Sequence, residues 1–191
     1  MADTSPFDAI AGNLALDFIN TVANRGSEVK RRELLVGAEE LRAWTALFGL
    51  PGSGLGEADV APAIALRERL HAIFHACASG REIEASELDA FRRAMLGALG
   101  ERCLVQTSDR VEWRWEATAA AFHRAMLPVL QQAEELLVSC EIAGVCECEG
   151  PGCGWLFVSR SRGRRRRWCS MGDCGNKAKA QRHYQRRKDA K

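Results

Sequence analysis

Apolar residues recur at helical spacing through most of the first 140 positions. Leu14, Phe18, Ile19 and Val22 predict a helix over Gly12 to Asn24, closed by a polar turn at Arg25, Gly26 and Ser27. Leu41, Trp44, Leu47 and Phe48 repeat the pattern, with Glu39 and Glu40 in the first turn and Gly49 near the end. The glycine-rich stretch from Pro51 to Gly56 predicts a loop. Pro62 then suits the first turn of a helix carrying Leu66, Leu70, Ile73, Phe74 and Cys77 on one side and ending at Ser79 and Gly80. Ser86 and Asp89 resemble a capping box opening a helix that shows Leu88, Phe91, Met95 and Leu99 on one face.

The period changes to two between Arg102 and Trp115. Leu104 and Gln106, then Val111, Trp113 and Trp115, flank Ser108 and Asp109 and predict a hairpin. A long helix is expected from about Ala117 to Ser139, bent where Pro128 lacks its amide hydrogen. The fold class that follows is a mainly α body with one β-hairpin over residues 1–141. A small C-terminal module with four paired cysteines, short strands and a basic helix occupies residues 142–191, reached through Ile142 to Cys148 with little room for a flexible linker.

Cys148 and Cys153, then Cys169 and Cys174, form two C-x4-C pairs separated by Gly154 to Trp168. Two short thiolate loops joined by a longer excursion can place four sulfurs about 2.3 Å from one Zn²⁺. Four cysteine ligands leave no open coordination position, so one structural rather than catalytic zinc is expected. Glu149 to Gly152 and Ser170 to Asp173 supply turn chemistry within the pairs, and Cys146 is the alternative to Cys148 that breaks the equal spacing. His183 offers an imidazole, but nine residues beyond Cys174 on a helix already tethered. Gly154 to Val158 reads as a strand with Arg166 to Trp168 as its partner, and Gly175 to Lys188 as a helix.

Charge changes this picture. The net of +2 hides 13 Lys and Arg against three acids from Cys148 onward, a net of +10, while the preceding residues hold the other 14 bases and 22 acids, a net of −8. An acidic body with a basic tail is the asymmetry expected when the tail meets a polyanion. The candidate contacts are Arg160, Arg162, Arg164, Arg165, Arg166 and Arg167 in the loop, and Asn176, Lys177, Lys179, Arg182, Arg186 and Arg187 on the helix, beside Lys188. Asn176, Gln181 and Gln185 are the uncharged groups there able to address base edges. A solvated charged face is the competing reading.

Neither an export signal nor an 18-residue apolar run is visible, so cytoplasmic placement without a membrane is expected; reduced thiols follow, with Cys77, Cys103 and Cys140 read as buried free thiols. Asp17, Asn20, Thr21 and Arg25 cluster at the end of the first helix and, with Trp44, can line a small-ligand pocket; capping and turn hydrogen bonds account for the same residues at least as well. His71 and His75 sit at i, i+4 without a third ligand nearby in the sequence. No phosphate loop, nucleophile elbow or metalloprotease motif occurs, and no enzyme is expected.

Cys169-Ser-Met-Gly-Asp-Cys174-Gly175-Asn176-Lys177, preceded by Arg166-Arg167-Trp168 and by Cys153-Gly-Trp-Leu-Phe-Val158, resembles the CGNR zinc finger of bacterial proteins. Leu14-Ala-Leu-Asp17-Phe-Ile-Asn20-Thr21 is similar to the opening of the ABATE domain fused to it in a family of stress-induced transcription regulators. Lys177 stands where the motif carries Arg, which keeps the charge and loses a bidentate guanidinium contact. The resemblance implies a one-component regulator whose N-terminal domain senses a ligand and whose finger binds duplex DNA. The residues alone reach zinc and a polyanion. RNA binding, through Trp155, Phe157 and Trp168 stacked on bases, and a zinc-stabilised protein-interaction module are the rivals. A homodimer suits a regulator, although no heptad or other seam is visible.

Overall fold

The computed structural model describes residues 6–161 and 165–189, with the backbone alone at 183, 187 and 189. Six α-helices and three two-stranded antiparallel sheets occur among these residues. Helix α1 (Leu14–Ile19) starts at Asn13, whose side chain accepts from the amides of Ala15 and Leu16. It is much shorter than the expected Gly12 to Asn24. Its chain turns away because Asn20 and Thr21 use their side chains on backbone groups: Thr21 Oγ1 donates to Phe18 O at 2.8 Å, and Asn20 reaches Leu156. Strand β1 (Val22–Ala23) follows, paired with β2 (Arg32–Glu33).

Helix α2 (Ala38–Leu47) has no side-chain cap of its own at Gly37; Glu57 Oε1 accepts from the Ala38 amide at 2.9 Å instead. Helix α3 (Val60–Ala78) takes Pro62 in its first turn and buries Ala63, Leu66, Arg67, Leu70, Ile73 and Phe74 along one side. Helix α4 (Ala85–Gly100) corrects the expected capping box: Glu84 is the cap position, Ser86 lies inside the first turn, and Asp89 turns to Arg92 and Arg93. Strands β3 (Arg102–Gln106) and β4 (Val111–Trp115) form the expected hairpin. Helix α5 (Ala121–Val138) is unbroken across Pro128 and presents Met126, Val129, Leu130, Ala133 and Leu136 to the core.

The division expected at 141/142 falls in a 3-10 segment, Cys140–Gly144. Beyond it, β5 (Val145–Glu147) pairs with β6 (Leu156–Val158). The partner of the predicted 154–158 strand is therefore β5, not Arg166 to Trp168. The latter segment runs beside the sheet through two separate bonds, Glu149 N to Arg167 O at 2.9 Å and Arg166 N to Ser159 Oγ at 3.0 Å, without forming a ladder. A π-helical turn, Met171–Gly175, leads into α6 (Asn176–Asp189).

One core runs through both parts of the chain. Phe18, Trp44, Leu70, Phe74, Met126 and Leu130 belong to the same buried cluster as Val145, Leu156, Phe157, Cys148, Cys169 and Cys174. The cysteine-bearing segment thus completes its packing with apolar surface from the body. The expectation of buried free thiols fails outside the pairs: Cys77 and Cys103 are half-buried, and Cys140 is exposed because it opens the 3-10 segment at the surface.

Candidate metal centre and basic surface

Backbone turns bring the four cysteines together. A Cβ at Gly150 would lie 2.8 Å from Cys174 Sγ, so only glycine lets the first turn close over the second pair. Gly154 has φ +66°, and a Cβ there would sit 2.7 Å from the Gly26 amide nitrogen, a contact that presses the turn against the body.

The ligand atoms of Cys148, Cys153, Cys169 and Cys174 lie within 4.8 Å of one another. Cys153 and Cys169 sulfurs are 3.8 Å apart, and Cys169 and Cys174 sulfurs 3.6 Å. Tetrahedral bonds of about 2.3 Å imply sulfur separations of about 3.8 Å, so the set fits Zn²⁺. The amides of Gly150 and Cys169 donate to Cys148 Sγ at 3.4 and 3.3 Å, which fixes that sulfur and stabilises its negative charge. Cys146 lies outside the cluster, its thiol donating to Gly144 O at 3.4 Å.

Without an ion, one of the four sulfurs would hold the charge and its neighbours would keep their protons. Hydrogen bonds from Cys153 and Cys169, and then from the two amides, hold Cys148 far below the usual thiol range, at about 2. That thiolate in turn pushes Cys153 up to about 12 and Cys169 higher still, while burial raises Cys174. Four thiolates at this spacing need a divalent cation to neutralise them. The protein holds one structural Zn²⁺ on these four cysteines.

The predicted basic contacts divide by partner. Arg160 pairs with Glu141 at 2.9 Å, Lys177 with Asp173 at 2.7 Å, and Arg167 with Glu149. Arg165 donates to Ala143 O at 2.5 Å; Arg166 donates to Ile10 O at 3.3 Å and lies 4.2 Å from the Phe157 ring centroid. These two staple the arginine segment to the rest of the chain. Asn176 Nδ2 donates to Gly172 O at 3.0 Å, a contact that closes the π-helical turn. Lys179, Arg182 and Arg186 are exposed at i, i+3 and i+7 on α6, and Arg182 reaches Trp168, 6.0 Å from its ring centroid. Gln181, Arg182 and Gln185 face Arg167 and Trp168 across a groove of about 450 Å³. Arg162 and Arg164 lie outside the described residues, as does the Arg187 side chain.

The five residues expected around a ligand are committed to other contacts. Asp17 Oδ1 accepts from the Ile10 and Ala11 amides at 3.0 and 2.9 Å, clamping the chain that precedes α1. Asn20 donates to Leu156 O at 2.8 Å and accepts from Leu156 N at 3.0 Å, joining α1 to β6. Thr21 accepts from Arg67, Arg25 forms a bidentate pair with Glu68, and Trp44 packs without exposure between Phe18 and Phe48. A different cleft, about 440 Å³, opens where body and zinc module meet, between Ile10, Asn24, Arg32 and Leu34 on one side and Pro151, Trp155, Ser170 and Lys177 on the other.

Arg67 was not singled out by sequence, yet it is 1% exposed and bonds Glu33 at 2.5 and 2.6 Å and Glu68 at 2.7 Å. The available signal was a charged residue inside the apolar stripe Ala63, Leu66, Leu70, Phe74. His71 and His75 stack at 5.2 Å, and burial lowers His71 to about 4; His75 pairs with Glu147 at 3.2 Å. They join no metal cluster among the described residues.

Asp17 makes stability depend on pH. Burial outweighs its two amide bonds and raises its pKa to about 6, above its ordinary 3.8. The folded chain then binds more protons than the unfolded chain between those values, so stability is highest below about pH 4 for this group and falls as pH rises to about 6, by up to ~3 kcal/mol. Asp17→Asn should flatten that part of the stability profile, measured by urea unfolding from pH 4 to 7; an unchanged slope would reject this role.

Residues 12–139 match the ABATE family model, described as "Putative stress-induced transcription regulator", and residues 145–187 match the CGNR zinc finger. No curated protein matches the chain. No helix among the described residues is long and apolar enough to cross a membrane.

Proposed function

Because this chain belongs to the ABATE family of transcription regulators and carries a CGNR zinc finger, we propose that it is a cytoplasmic, non-enzymatic regulator that binds duplex DNA through the zinc module. The observation that carries this reading is the exposed face of α6, where Lys179, Arg182 and Arg186 recur at i, i+3 and i+7, with Arg182 against Trp168, on a helix anchored at its start by the four-cysteine cluster. Zinc fixes the position of these cations before a polyanion arrives, which lowers the ordering cost of binding. Gln181 and Gln185 stand one helical turn apart on the side of the helix that faces Arg167 and Trp168, and their amides are suited to adenine edges.

Duplex DNA is favoured over single-stranded RNA by the state of the aromatic rings. Phe157 is fully buried beneath Arg166, and Trp155 Nε1 donates to Val22 O at 2.7 Å, so two of the three candidate stacking rings serve the core. The sensory part of the reading rests on the cleft between Arg32 and Lys177, whose two walls belong to the body and to the zinc module.

Arg160, Arg167 and Lys177 begin in ion pairs with carboxylates, so the phosphate contacts come chiefly from α6 and from Arg165 and Arg166. Fluorescence anisotropy with a mixed-sequence duplex should give a log–log salt slope of roughly −4 to −6. Changing Lys179, Arg182 and Arg186 together to Ala should reduce its size by about 3 while leaving zinc content at one per chain. No binding to duplex at low salt would reject the proposal, and tighter binding to single-stranded RNA would replace it with the rival reading.

A further inference from the structure

We propose that a second copy of this chain docks on the outer edge of β4, joining two hairpins into a continuous four-stranded antiparallel sheet. The phase of the hairpin's hydrogen bonds follows from its ends: Thr107 N donates to Arg110 O at 2.8 Å and Glu116 N to Glu101 O at 2.9 Å. With Val105 opposite Glu112 and Cys103 opposite Arg114, the even-numbered residues of β4 turn their backbone groups inward to β3. Val111, Trp113 and Trp115 therefore direct theirs outward. No third strand joins this sheet among the described residues, and Val111 and Trp113 are 60% and 55% exposed.

Self-pairing about a two-fold axis at Trp113 satisfies this edge. Trp113 faces Trp113 of the second copy, and Val111 faces Trp115, so all three outward residues form hydrogen-bonded pairs. The same register sets Glu112 opposite Arg114 and Arg110 opposite Glu116, because the alternate positions 110, 112, 114 and 116 read Arg, Glu, Arg, Glu. Each charged residue then meets its opposite, on the face away from the tryptophans. Within one copy Glu112 already lies 3.3 Å from Arg110 and 2.6 Å from Arg114, so the carboxylate is in place to be shared across the axis. Moving the axis by one residue keeps the outward backbone groups paired but puts Glu112 on Glu112 or Arg114 on Arg114, so like charges disfavour those alternatives.

The other face also favours a second copy. Leu104, 60% exposed, is the cross-strand partner of Trp113, and Arg102 lies over Trp113 and Trp115 at 5.3 and 5.6 Å from their centroids. Pairing brings the two Trp113 rings side by side and shields part of this apolar strip. The interface involves one strand per copy and would be isologous, and it stands independently of DNA binding.

Sedimentation velocity of the full chain over a wide concentration range tests the proposal. Wild type should show a concentration-dependent monomer–dimer equilibrium. Glu112→Arg puts two arginines against each other across the axis, and Arg114→Glu two glutamates; each should weaken association about tenfold or more. An equimolar mixture of the two variants restores every opposite pairing and should dimerise at least as well as wild type, which a variant that merely misfolded would not do. Wild type that stays monomeric up to its solubility limit would overturn the proposal. So would single variants that associate like wild type, or a mixture no better than its components.

Discussion

Removal of zinc is expected to melt the whole molecule rather than the C-terminal module alone. Chelation, or Cys169→Ser, should lower the melting temperature in a single shared transition, read by circular dichroism together with metal content and free-thiol titration. Structural zinc contributes on the order of 10–16 kcal/mol to isolated finger peptides. Here the loss propagates because Val145, Leu156, Phe157 and Val158 lie in the body's core, and each apolar side chain of this kind stabilises by roughly 1.5–3 kcal/mol when buried. The Asn20 clamp on Leu156 and the Trp155 bond to Val22 cross the same boundary. Two separate transitions, with the body indifferent to the chelator, would refute this coupling. Acidification should release the metal as well, because protons compete for all four thiolates.

Arg67→Ala should cost about 3 kcal/mol in urea unfolding at neutral pH, near the low end for breaking a buried ion pair. The reason for the low end is geometric: the Arg67 side chain is 1% exposed, but Glu33 and Glu68 are 33% and 38% exposed and can recover water. Glu33 also keeps its bonds from the Leu34 and Leu35 amides, and Glu68 keeps Arg25. Although partial burial opposes it, the bonds and charges of Arg25 and Arg67 hold Glu68 at about 2. Its folded pKa is depressed, so its contribution is present above the ordinary value of 4.5 and is lost as pH falls toward about 2. The variant should show a shallower loss of stability across that window than wild type. A cost below about 0.5 kcal/mol, typical of an ordinary surface change, would show that the network is not structural.

The two acidic groups act in opposite windows. Asp17 weakens the fold as pH rises toward about 6, and Glu68 weakens it as pH falls below 4.5, so a stability maximum between them is the combined expectation from these two groups.

Legibility followed the range of the interactions involved. The β3–β4 hairpin could be read because its alternation and its turn lie within fourteen residues, and the zinc ligands because equal spacing and turn residues are local. Helix α1 could not be read to its true length. Asn20 looks like an ordinary polar residue at a helix end until Leu156, 136 positions away, arrives to take both of its amide functions. The partner of β6 was misassigned for a related reason: Arg166 to Trp168 and Val145 to Glu147 are both near in the chain, and it is Val145 to Glu147 that also packs against α3.

From sequence alone came the four thiolates, their metal, the hairpin, the main helices and the separation of an acidic body from a basic tail. These follow from spacing, turn chemistry and charge count, which require no knowledge of distant neighbours. Tertiary structure decided that the zinc module shares the body's core, that Asp17, Asn20, Thr21, Arg25 and Trp44 serve internal contacts, and that Arg160, Arg167 and Lys177 are ion-paired while Lys179, Arg182 and Arg186 face outward. The physical reason is that a polar or charged side chain takes its role from whichever partner lies within about 3 Å, and folding chooses that partner from across the whole chain.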